Sequence, residues 1–127
     1  MNVVDVLKEI SGLRCLSGVT EKTLHWAERR LLLSFAPEYR EYLLMYGLVS
    51  ANGHELTGIC DFPRLNVVDV TLECRKTHNV PSDFYVVEEA LFDDIVVWQS
   101  TDGLIYESVP GKPPRKVCSS LGEHLLR

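Results

Sequence analysis

The sequence predicts one α+β domain over residues 1–127, with helices first, then an antiparallel sheet, then a short closing helix. Three observations carry that expectation. Apolar residues recur at helical spacing through the first third. Short β-branched and aromatic runs separated by turn residues fill the second half. The composition, 46 % apolar and 24 % charged, is that of a chain able to bury a core.

Asn2 is placed to cap a first helix with Val3, Leu7 and Ile10 on one face, ending near Gly12. Thr20 is an N-cap for a second helix, with Glu21 in its first turn and Leu24, Ala27 and Leu31 inward. Pro37 suits the first turn of a third helix. Its stripe is Tyr39, Tyr42, Leu43 and Tyr46, and Gly47 is placed to end it. Asn52-Gly53 and Gly58 bracket an apolar stretch, Leu56 to Cys60, expected as a strand. Residues 67–78 read either way: their β-branched content argues strand, while length and the closing Arg-Lys argue helix.

A β meander is expected next, with strands at Phe84–Leu91, Ile95–Ser100, Leu104–Val109 and Arg115–Cys118. Asp102-Gly103 reads as a tight hairpin turn with positive φ at both central positions. Ser120 and Glu123 have capping-box spacing ahead of a final helix carrying Leu121, Leu125 and Leu126.

The formal net charge is −5. Residues 61–107 hold ten Asp/Glu against three Lys/Arg, a net of −7, and residues 108–127 hold a net of +3. That balance argues against direct nucleic-acid binding and favours a basic partner, or simply a solubilising surface. No basic run follows Met1 and no apolar run is long enough for a membrane span, so a cytoplasmic protein with no membrane contact is expected. Cys15, Cys60, Cys74 and Cys118 form no Cys-x-x-Cys pair and are expected reduced and mostly buried. His25, His54, His78 and His124 form no His-x-x-x-His pair. Neither Glu88-Glu89 nor Asp93-Asp94 chelates simply, because neighbours on a strand point to opposite faces. No metal, cofactor or catalytic residue is expected.

The run Ala-Pro-Glu-Tyr-Arg-Glu-Tyr-Leu-Leu-Met-Tyr-Gly (36–47), then Asn-Gly (52–53) and Glu-Leu-Thr-Gly-Ile (55–59), resembles the signature of the SUKH superfamily, which includes the yeast Smi/Knr cell-wall regulators. Asn-Val-Val-Asp-Val-Thr-Leu-Glu-Cys-Arg (66–75), Pro-Ser-Asp-Phe-Tyr-Val-Val-Glu-Glu (81–89) and Val-Val-Trp-Gln-Ser-Thr-Asp-Gly-Leu-Ile-Tyr-Glu (96–107) are similar to its YobK-type bacterial members. The resemblance implies a twisted antiparallel sheet with flanking helices and makes 67–77 a helix. Pro37, Tyr39, Tyr42, Gly53, Gly58, Trp98 and Gly103 match signature positions and are expected to serve the fold, Gly53 and Gly58 as turn glycines where a side chain would clash.

Bacterial members are largely immunity proteins of polymorphic toxin systems. The resemblance therefore implies a non-enzymatic inhibitor that binds a cognate toxin in the producing cell, such as a basic nuclease domain of an LXG-type or contact-dependent system. The alternative is a regulatory adaptor. Either would act as a monomer or weak dimer. Asp61, Glu73, Asp83, Glu88, Glu89, Asp93, Asp94 and Asp102 are the candidate partner-facing acids, with Glu88 outward if Val87 is inward. Phe62, Phe84, Tyr85 or Phe92 are candidate aromatic anchors.

Overall fold

The computed structural model describes residues 1–90 and 92–127, so the Leu91 end of the expected first meander strand lies outside the described residues. The chain forms helix α1 (Val3–Lys8), strand β1 (Arg14–Cys15), α2 (Glu21–Leu31), α3 (Pro37–Met45), β2 (Val49–Ala51), β3 (His54–Glu55) and α4 (Val67–Cys74). Strands β4 (Tyr85–Glu89), β5 (Val96–Gln99), β6 (Ile105–Ser108) and β7 (Arg115–Cys118) follow, then α5 (Leu121–Leu125). The α+β class is as expected. Among the described residues the strands form two antiparallel sheets, β1-β2-β3 and β4-β5-β6-β7.

Caps fix the helix starts. The side chains of Asn2, Thr20, Asn66 and Ser120 accept the main-chain N–H of Val4, Thr23, Val68 and Glu123. The ambiguous stretch is helical because Asn66 caps it and its β-branched face is buried: Val67, Val68, Val70, Thr71 and Cys74 all point inward. The strand expected at Leu56 to Cys60 is not formed. Asn52 and Gly53 instead make the turn between β2 and β3, with φ of 52° and 79°. Gly53 has room for a Cβ, so positive φ rather than a clash is what favours glycine there. At Gly58 a Cβ would lie 1.9 Å from the carbonyl oxygen of Gly47, and glycine is required. The turn before β6 differs as well. Only Gly103 takes positive φ, and the loop is longer than two residues, closed by Gly103 N–H to Ser100 O at 2.8 Å.

The four-stranded sheet is covered on both faces. Tyr85, Val87, Val97 and Ile105 face the main core, built with α1, α2, α3, α5 and β2. Phe84, Val86, Val96 and Trp98 face α4 through Val70 and Cys74. Two-sided burial explains why Phe84-Tyr85-Val86-Val87 is an unbroken apolar run rather than an alternating one. Of the cysteines only Cys74 is buried, and Cys15 is exposed, so the expectation of mostly buried thiols fails. The reason is placement: β1 is a two-residue strand with both residues exposed.

Buried polar groups tie these layers together. Tyr42 donates to Thr57 O at 2.7 Å and accepts from Val49 N–H, and Thr57 Oγ1 donates to Val86 O at 2.8 Å. Glu38, on the first turn of α3, accepts from Val3 N (2.8 Å), Leu121 N (2.8 Å), Gly122 N (3.1 Å) and Gln99 Nε2 (2.7 Å). One carboxylate thus serves the starts of α1 and α5 and the end of β5. Replacing Glu38 by Ala strands three main-chain donors, and should cost about 3 kcal/mol in urea unfolding. A loss below about 1 kcal/mol would show that water replaces the carboxylate.

A buried His-Glu-His cluster beneath an acidic groove

Glu88 is the residue the sequence misplaces. In an unbroken strand it would lie on the side opposite Val87. Strand β4 instead carries a bulge: Val86 pairs with Trp98, Glu88 pairs with Val97, and Val87 is the extra residue between them. Both Val97 and Val87 face the main core, so Glu88 is turned back to that same side. Its neighbour Glu89 pairs with Val96 and stays exposed.

The inward-turned carboxylate meets two imidazoles from other elements. Glu88 Oε1 accepts from His54 Nδ1 of β3 at 2.8 Å and from His124 Nε2 of α5 at 2.6 Å. Glu88 Oε2 accepts the main-chain N–H of Glu55 at 2.9 Å. The two rings lie 4.7 Å apart, centre to centre. Arg127 Nη1 approaches His124 Nδ1 at 3.4 Å, which assigns the ring proton of neutral His124 to Nε2. Arg127 Nη2 also donates to Glu107 at 3.0 Å.

Burial alone would push the Glu88 carboxyl up. The hydrogen bonds from His124, His54 and Glu55 overcome it and hold the group down at about 2, against 4.5 for an ordinary Glu. His54 moves up from 6.5, chiefly through its hydrogen bond to Glu88 and against its own desolvation. Elsewhere, burial and the nearby Glu89 push the Cys74 thiol up to about 12, so it stays protonated and inert.

The cluster lies at the base of a groove of about 410 Å³, lined also by Glu55, Glu89, Ala90, Phe92, Ile95, Val97, Glu107 and Arg127. Four carboxylates face one guanidinium there. Phe92 at the rim is 68 % exposed. Asp93 and Asp94 follow it in a turn, both exposed and both at positive φ, and are not on a strand.

The other candidate acids are dispersed. Glu73 on α4 pairs with Lys76 just beyond its end, and Asp83 accepts from Thr101 N–H. Asp61 and Asp102 are exposed at separate turns. Of the candidate anchors, Phe84 and Tyr85 are buried, while Phe62 and Phe92 are exposed. Among the signature residues, Tyr39, Tyr42 and Trp98 are fully buried, and Pro37 opens α3. His54 and His124 were absent from the sequence-based candidates. They lie 34 and 36 residues from Glu88, so no local spacing reveals them.

The cluster should make stability depend on pH in a defined window. A lowered carboxyl contributes fully above pH 4.5, and that contribution is lost as pH falls toward 2. A raised imidazole contributes fully below pH 6.5 and loses that contribution as pH rises through its folded value. The melting temperature of the protein minus that of Glu88→Gln, measured in chelator-containing buffer, should therefore peak between pH 4.5 and 6.5. A difference independent of pH would mean the bonds do not stabilise the charged forms.

No helix among the described residues is long and apolar enough to cross a membrane. Among curated proteins no relative matches the chain. A family model described as SUKH_5, SMI1-KNR4 cell-wall, matches residues 1–107. That match covers all of the helices and strands through β6 except the last residue of β6, and includes both His54 and Glu88. The chain belongs to the SUKH family.

Proposed function

We propose that this chain is an immunity protein that binds and neutralises a cognate toxin in the cytoplasm of the cell that makes both. Family membership supports a protein-binding role. The observation that carries the finer reading is the acidic groove with an aromatic at its rim. Glu89, Asp93 and Asp94 form no ion pair among the described residues. Their charge is therefore free to act on a partner. A nuclease cleft must hold phosphates and is basic, so charge complementarity speeds capture and selects the partner. Phe92 supplies the apolar anchor that charges alone do not.

On this reading inhibition is occlusion, not catalysis. Glu88 is not part of the contact surface, because its carboxylate is consumed by three internal hydrogen bonds. Asp61, Glu73, Asp83 and Asp102 lie apart from the groove and contribute to the general field.

The test is co-expression with a toxin encoded beside this gene, followed by binding measurements. Wild type should protect the host and bind the toxin. Phe92→Ala should weaken binding roughly 10- to 100-fold. Joint reversal of Glu89, Asp93 and Asp94 to Lys should slow association and flatten its salt dependence. A toxin that stays lethal with this protein in excess overturns the function. Protection with unchanged affinity in both variants overturns only the groove as the contact.

A further inference from the structure

We propose that His54, Glu88 and His124 form a binding site for a single divalent transition-metal ion, with zinc the best match. The inference stands on the geometry of the cluster and does not rest on the toxin-binding reading. The potential ligand atoms of the three residues all lie within 4.8 Å of one another. Two imidazole nitrogens and one carboxylate oxygen are the donor set that zinc takes in three-ligand sites with an open fourth position. Two imidazoles disfavour calcium and magnesium, which prefer oxygen shells.

Two N–H protons occupy the place the ion would take. Glu88 Oε1 draws His54 Nδ1 to 2.8 Å and His124 Nε2 to 2.6 Å. A tetrahedral ion at its usual bond lengths spaces its ligand atoms about 3.3 Å apart, so each ring nitrogen must recede from Oε1 by about half an ångström while the two nitrogens, within 4.8 Å of each other, draw in to the same spacing. On binding, each nitrogen bonds the metal through its lone pair and gives up any proton it holds to solvent. The fourth position opens into the groove, where water completes the shell.

The surroundings are prepared for a cation. The N–H of Glu55 holds Glu88 Oε2, leaving Oε1 aimed at both rings. The ligands come from β3, the bulge of β4 and α5, so they are set by three separately anchored elements. Glu55, Glu89 and Glu107 line the same groove. One group opposes binding. Arg127 faces His124 Nδ1, which must carry the proton once Nε2 binds metal. Its guanidinium, held also by Glu107 at 3.0 Å, must therefore swing away.

Zinc titration of chelator-stripped protein, in competition with a chromophoric chelator, tests the site. Wild type should bind one equivalent and gain thermal stability with zinc. His54→Gln and His124→Gln should each weaken binding roughly 100-fold or more, beyond the effect of losing an outer-shell partner. Arg127→Ala should tighten it several-fold. The cobalt derivative of the wild type reads the ligands directly, even where the buried His124 variant does not fold. A tetrahedral cobalt spectrum without a thiolate charge-transfer band supports the site. A thiolate band, equal affinity in His54→Gln, or no saturable binding by wild type overturns it.

Discussion

The structure hangs on the carboxylate of Glu38. Two of the five helices among the described residues, α1 and α5, are only six and five residues long, too short to persist alone. Both begin at Glu38, which accepts N–H groups from each while also holding Gln99 of the central sheet. The chain start and chain end therefore meet at one point. Gly122 permits the approach, since a Cβ there would lie 2.4 Å from the carbonyl oxygen of Met1. His124 rides on α5, so the position of the cluster follows from a contact made on α3.

The same economy runs through the core. Tyr85 accepts from Ala36 N–H and donates to Gln99, whose amide continues to Glu38 and to Gly103 O. Glu28, buried on α2, accepts from Phe35 N–H and pairs with Arg40. Each of these polar groups is satisfied by more than one partner. Such networks fix register in a way that apolar packing does not, because a shift by one residue strands several donors at once. The groove inherits that precision, since Tyr85 stands on β4 and α5 begins at Glu38.

Signals that are local in sequence were legible. Asn2, Thr20 and Ser120 announce helix starts through their side-chain chemistry, and Arg115–Cys118 is a strand to the residue, whereas the cap at Asn66 goes unread and 67–78 stays open on its residues alone. Features that depend on distant partners were not. Strands β1 and β3 are two residues each and have no pattern to read. Residues 56–60 look like a strand in composition, but Gly58 packs on Gly47 and main-chain bonds lead to Leu65 and Val67 instead. Acidity in the middle segment was visible, yet its division into a buried carboxylate and an exposed set was not. The unbroken apolar run at 84–87 was the available clue that this strand is covered on both sides.

The bulge in β4 acts as a parity switch. In a strand, inside and outside are assigned by counting, and one supernumerary residue reverses the count for everything beyond it. The chemistry beneath the groove therefore depends on the register of pairing as well as on the side chains. Deleting Val87 would remove the bulge yet leave Glu88 opposite Val97 and on the same face, whereas pairing Val87 itself with Val97 would send Glu88 to the opposite face. Relatives with all three polar residues but an unbulged pairing of the same strand would lack the cluster, and comparing residue identities alone would miss the difference.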